Sequence, residues 1–158
     1  MKYYIRTMEK EDFDLLEDFL YEAIYVPEGV NPPPRAVIYI PELQKYISDF
    51  GKSEHDTALV AEIDGKIVGA IWARITDDYG HIEEDIPSLA MSLYKNYRGK
   101  GIGTELLNKF IFMVKEKGYR GISLSVQKEN YAVKMYKKAG FNVVDENEEE
   151  YIMAIYFK

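Results

Sequence analysis

The chain has 158 residues, 47% hydrophobic and 30% charged, which suits one soluble globular domain with a sizeable core and not a disordered segment. A formal net charge of −7 argues against a nucleic-acid-binding module, and no apolar run approaches the ~20 residues of a membrane span. Cysteine is absent, which excludes disulfides, thiolate metal sites and a cysteine nucleophile; with no signal-peptide pattern before Thr7, the expected location is the cytoplasm.

Tyr3, Ile5 and their neighbours predict a short first strand. Thr7 is placed to cap a helix, with Glu9, Glu11 and Asp12 at its positive end. Phe13, Leu16, Leu20 and Ile24 recur at helical spacing and give that helix a buried face. Five prolines and Gly29 between Pro27 and Pro41 predict an irregular loop, followed by a second short helix over Glu42–Phe50. Two strands, Thr57–Ile63 and Lys66–Ile75, flank Asp64-Gly65, a strong two-residue hairpin signal.

After a turn at Asp77–His81, Ile86–Leu93 reads as a mostly apolar strand. Ile102, Leu106, Phe110 and Val114 mark one face of a helix closed by Gly118. Ile122–Val126 is a strand, and Tyr131–Lys138 a helix ending at Gly140. Phe141–Val144 and Tyr151–Phe157 pair at the end, joined by the acidic run Glu146–Glu150, which reads as a solvated turn. The expected order is β-α-α-β-β-β-α-β-α-β-β, an α/β (α+β) domain over residues 1–158. It implies a central mixed sheet with helices on both faces.

The most informative stretch is Tyr97-Arg98-Gly99-Lys100-Gly101-Ile102-Gly103-Thr104, where an apolar strand turns into an amphipathic helix. Glycines let the backbone approach a ligand closely. The first N–H groups of a helix lack intrahelical partners, and the helix dipole adds positive charge there. Arg98 and Lys100 supply full charges, so the parts suit a pyrophosphate. A plain glycine-rich surface turn is the alternative. A dinucleotide fingerprint fits poorly, because the spacing is Gly-x-Gly-x-Gly and Ser123 and Ser125 occupy the region of the expected acid. A Walker A loop fits poorly too, because no lysine separates Gly103 from Thr104.

Arg98-x-x-Gly101-x-Gly103 resembles the acyl-CoA pyrophosphate signature of GNAT enzymes, Gln/Arg-x-x-Gly-x-Gly/Ala. The flanks resemble it as well, with Leu89–Leu93 before and Leu106-Leu107 after. Lys95 stands where the family usually has a proline. Asn130-x-Ala132-x-x-x-Tyr136-x-x-x-Gly140-Phe141 resembles the family's second signature, and the two occur in the family's order. The resemblance implies the GNAT fold, its sheet mostly antiparallel. It implies transfer of an acetyl group from acetyl-CoA to a primary amine by direct attack in a ternary complex, without a metal. A CoA-binding or regulatory module without turnover is the alternative.

By resemblance, the backbones of Met91 and Leu93 would pair with the pantetheine arm and backbone groups near Leu93 would supply oxyanion donors, beside the cradle Arg98, Gly99, Lys100, Gly101, Ile102, Gly103 and Thr104. Tyr136 would protonate the leaving thiolate, since a phenol with an ordinary pKa near ~10 is protonated at neutral pH. With 14 tyrosines in the chain, a core role is its competing reading. Asn130 would bond the arm, cap the following helix, or both. Lys134, Lys137 and Lys138 are candidates for the 3′-phosphate, against a solvated reading. Glu84 is the candidate base at the start of the strand, with Glu83 and Asp85 as alternates, against a solvated acidic turn; His81 reads as a surface histidine. The proline-rich loop, with Tyr25, Glu28, Asn31, Arg35 and Tyr39, reads either as the element that chooses the acceptor or as a rigid cover over the sheet. The acceptor, a small molecule or peptide amine, and the oligomeric state stay open, although GNAT dimers are common.

Overall fold

The computed structural model describes residues 2–158. Seven strands form one sheet: β1 (Tyr4–Thr7), β2 (Thr57–Ile63), β3 (Lys66–Arg74), β4 (Ser88–Leu93), β5 (Gly121–Gln127), β6 (Asn142–Glu146) and β7 (Glu150–Tyr156). Their spatial order is β1-β2-β3-β4-β5-β7-β6. Every neighbouring pair is antiparallel except β4 with β5. The expected mixed, mostly antiparallel sheet is therefore present.

Strand alternation sends apolar side chains to both faces, and each face gains a helical layer. Helices α1 (Leu16–Glu22) and α2 (Pro41–Gln44) lie on one side, where Phe19, Leu20, Ile38, Val60, Ala70 and Trp72 pack together. Helices α3 (Ile102–Glu116) and α4 (Ala132–Ala139) lie on the other. The predicted α3 stripe of Ile102, Leu106, Phe110 and Val114 is buried there against Leu59, Ile71 and Leu124. The β2–β3 turn has Asp64 and Gly65 both at positive φ (49° and 80°), the twist a two-residue hairpin needs.

Local differences from the expected elements have physical causes. Thr7 caps no helix, because it pairs with Leu59 in the β1–β2 ladder. Glu9 and Asp12 form a capping box instead, opening a 3-10 turn over Lys10–Leu15 that leads into α1. The helix expected over Glu42–Phe50 keeps only the α2 turn. Asp49 and Gly51 take left-handed backbone, and Arg74 Nη1 claims the carbonyls of Lys45 and Ser48 (3.2 and 2.8 Å). Strand β4 starts at Ser88 and not at Ile86. Pro87 has no N–H for a ladder, and its carbonyl accepts from Ser123 N–H at 3.0 Å. The acidic connection is the expected exposed turn, with Asn147 Oδ1 accepting the N–H groups of Glu149 and Glu150.

Candidate active site

The parallel pair β4–β5 is joined at one register position, Ser88 with Ser123. Beyond it the two strands have no ladder, so a wedge opens toward their C-terminal ends. Backbone parity says which groups line it. Tyr94 N–H donates to Val68 O on β3, so even-numbered β4 residues point their backbone groups at β3. Pro87 O, on the other parity, faces β5. Leu89, Met91 and Leu93 therefore turn their N–H and C=O groups into the wedge. Met91 and Leu93, the expected backbone partners of the pantetheine arm, stand on that free edge.

The segment leaving β4 forms the cradle. Arg98 N–H donates to Lys95 O, but the N–H groups from Gly99 through Thr104 donate to no protein acceptor among the described residues. Gly99 and Gly101 have φ of 73° and 87°, and a Cβ on either would meet nothing within 4 Å. The glycines thus permit a left-handed turn whose amides face open space. Gly103 packs the helix start onto the wedge. A Cβ there would lie 3.5 Å from Leu93 Cδ1 and 3.9 Å from Met91 Cε and Met135 Sδ. Lys100 and Thr104 are exposed beside the turn, while the Ile102 side chain is fully buried and contributes only its backbone.

Arg98 takes a place that sequence reasoning missed. Its Nε donates to Leu93 O (2.9 Å), and its Nη2 to the Glu22 carbonyl and carboxylate (3.2 and 3.1 Å). The guanidinium ties the cradle to β4 and to the C-terminal end of α1. Tyr94 adds a second tie, its hydroxyl donating to Asp18 at 2.7 Å. Burial, reinforced by Asp18, pushes that phenol up to about 12.

The second motif positions Tyr136 through a helix stop. Gly140 turns left-handed (φ 113°), its N–H donates to Lys137 O, and Phe141 N–H donates to Tyr136 O. This is the paired bonding of a Schellman cap, whose usual apolar contact joins the residue after glycine to one in the last turn. Here the contact is Phe141 edge-on to Tyr136, with ring centroids 5.7 Å apart. The Tyr-x-x-x-Gly-Phe spacing is thus a cap that fixes the phenol. Tyr136 is 7% exposed, and burial alone pushes its phenol above the ordinary value, so it stays protonated. Asn130 Oδ1 accepts Ala132 N–H at 2.9 Å, the capping role, and its amide nitrogen donates to no protein group among the described residues.

The expected bases do not join this group. Glu83 and Asp85 are paired with Arg120, at the closed end of the wedge. Glu84 stands at that same end with its side chain 94% exposed, 3.6 Å from His81 Nε2. It precedes β4 by several residues, whereas the cradle follows β4. Lys134, Lys137 and Lys138 are exposed on α4, with Lys137 over the Tyr151 ring. In the proline-rich loop, Arg35 bonds Asp18 and Tyr39 bonds Glu17, fastening the loop to α1, and the Tyr25 hydroxyl reaches Glu129 O. Glu28 and Asn31 are exposed.

The comparisons with known proteins agree with this architecture. The acetyltransferase (GNAT) family profile matches residues 18–141. An uncharacterised N-acetyltransferase of Methanocaldococcus jannaschii is 32% identical over 146 residues, covering 88% of this chain and 60% of the relative. The ribosomal protein bS18-alanine N-acetyltransferase of Haemophilus influenzae is 44% identical over 55 residues, covering 35% of this chain and 38% of the relative. The chain thus spans less than two thirds of the length of either relative. The structure of the PaiA N-acetyltransferase of Thermoplasma acidophilum in complex with coenzyme A has the same fold, with a TM-score of 0.69 at 24% identity, covering 99% of this chain and all of that one. With both signatures seated at one wedge and the family profile spanning most of the sequence, the chain belongs to the GNAT family of acetyltransferases.

Proposed function

We propose that this chain transfers the acetyl group of acetyl-CoA to a primary amine by direct attack within a ternary complex. The observation that carries the reading is the unbroken run of unpartnered amides from Gly99 to Thr104 beside the free edge of β4. A diphosphate needs such donors at a helix N-terminus, and an extended amide-bearing arm needs an open strand edge. The arm would exchange hydrogen bonds with Met91 and Leu93. Lys100 and Thr104 flank the phosphates. Arg98 holds the cradle's shape, and Asn130 offers its amide nitrogen to the arm.

The acetyl carbonyl then lies beside the Leu93 N–H, which stabilises the developing oxyanion. The amine nitrogen forms the C–N bond as the C–S bond breaks. Tyr136 gives its proton to the departing thiolate, and the proton lost by the nitrogen restores the phenol through solvent. The acceptor panel begins with peptide α-amines, because the Haemophilus influenzae relative acts on an alanine of a ribosomal protein.

The test has two stages. Calorimetric titration should give acetyl-CoA binding that ATP and NAD do not match. A thiol-release assay over pooled peptides, polyamines and small amines should then give turnover with at least one pool. Coenzyme binding with no release on any amine would favour the non-catalytic module; failure to bind acetyl-CoA would remove the reading.

A further inference from the structure

We propose that Asp78 is a positioning residue for the coenzyme. Its turn staples β4 to β5 at the closed end of the wedge and so sets the angle at which the two strands part. This rests on the acetyltransferase reading and adds the device that fixes the spacing an inserted pantetheine arm would meet.

In an ordinary parallel pair, evenly spaced backbone bonds along several residues fix both spacing and angle. Here the β4–β5 ladder has a single register position, Ser88 with Ser123. A joint at one position can pivot, so the angle must be held by other contacts. The side chains of these same two residues supply them. Ser88 Oγ lies 2.7 Å from both Asp78 oxygens. Ser123 Oγ donates to Gly80 O at 2.6 Å. Gly80 N–H donates to Asp78 Oδ1 at 3.1 Å, which completes a chain of bonds from one strand to the other.

Every member of this chain is shielded from water. Asp78, Ser88 and Ser123 are 8%, 2% and 0% exposed, and Gly80 is buried. A buried carboxylate is costly unless its hydrogen bonds are met. Arg74, the register partner of Ser88 on β3, gives its guanidinium to Asp56 and to the carbonyls of Lys45 and Ser48. Asp78 is instead held by neutral donors, the Ser88 hydroxyl and the Gly80 amide. The turn also fits by shape. A Cβ on Gly80 would be 3.0 Å from Leu124 Cα and Ser125 N, so the turn bears on β5 just beyond the joint.

The consequence of a loose joint grows with distance from it. Met91 and Leu93, whose free edge would bond the arm, lie about 10 and 16 Å beyond Ser88 along the strand. A change of about 10° at the joint would move Leu93 by about 3 Å relative to β5, more than a hydrogen bond tolerates. The Gly99–Thr104 cradle follows β4 and is tied through Arg98 to Leu93 and to Glu22 on α1, not to β5. The staple thus governs the fit of the arm and leaves the diphosphate donors alone.

The experiment titrates the full chain calorimetrically with acetyl-CoA and with adenosine 3′-phosphate 5′-diphosphate, a fragment that carries the diphosphate and no arm. Asp78→Ala should weaken acetyl-CoA by about tenfold, while the fragment stays within about twofold of wild type. Asp78→Asn keeps an oxygen that can accept from Ser88 or Gly80, and should hold acetyl-CoA within about threefold of wild type. Ser88→Ala and Ser123→Ala each free one strand from the turn and should weaken acetyl-CoA alone, by about threefold or more. These two serine variants decide the matter if Asp78→Ala does not fold. Wild-type affinity for acetyl-CoA in the alanine variants, or equal losses for the two ligands, would overturn the staple alone. A wild-type chain that binds acetyl-CoA no more tightly than the fragment would overturn it as well; one that binds neither would overturn the acetyltransferase reading beneath it.

Discussion

Gly101→Ala separates strain from binding. Gly101 has φ 87°, a conformation costing an L-residue about 1–2 kcal/mol. Its missing Cβ would meet no protein atom within 4 Å, so no clash adds to the strain. For a chain of this size the melting temperature should fall by about 2–8 °C. The same Cβ would enter the open side of the cradle, and acetyl-CoA affinity should drop about tenfold, or ~1.4 kcal/mol. Gly118→Ala supplies the control. It has φ 91° and equally open space, but lies past the far end of the 15-residue α3, roughly 20 Å from the cradle. Its melting temperature should fall alike while its affinity stays unchanged. Thermal melts and calorimetric titration read the two effects separately. Equal affinities for both variants would refute the cradle; an unchanged melt for both would refute the strain argument.

Tyr136→Phe removes a hydroxyl for which burial alone accounts for the raised pKa, so its melt should stay within about 0.5 kcal/mol of wild type. Turnover in a chemistry-limited assay should fall by about tenfold or more, with coenzyme affinity nearly unchanged; equal turnover would remove the acid role. Arg98→Ala should lower stability by about 1–2 kcal/mol, discounted for its partial exposure, and weaken acetyl-CoA together with it. Weakened binding with an unaltered melt would instead give the guanidinium to the phosphates. Asp56→Ala leaves buried Arg74 without its carboxylate and should cost about 3–5 kcal/mol by denaturant unfolding; a loss under 1 kcal/mol would sink this account. Burial would raise Asp18, but Tyr94 and Arg35 outweigh it and hold the carboxyl below its ordinary range. Its contribution is present above the unfolded-state value and is lost as pH falls through the lower folded value. Asp18→Asn should therefore flatten the acid side of the stability curve, and an unchanged slope there would contradict the pairing.

The sequence by itself determined the elements whose periodicity and punctuation agree: the α3 stripe, the Asp64-Gly65 hairpin, the glycine stops and the order of strands and helices. Those signals are local, because amphipathic burial and left-handed turns are imposed within a few residues. It also placed the open amides of Gly99 to Thr104, since a helix start preceded by glycines exposes amides whatever surrounds it. Only the tertiary structure decided which side chains meet. Arg98 carries its charge in a sequence motif, yet it bonds Leu93 and Glu22, because α1 packs across the end of β4. Glu84 lies near β4 in sequence but at the closed end of the wedge, since β4 and β5 join at Ser88 and Ser123 and part from there. Ser88 meets Asp78 and Ser123 meets Gly80 from separate segments that share no spacing a sequence pattern records. Their proximity is a product of sheet register and of the Asp77–His81 turn folding over β5.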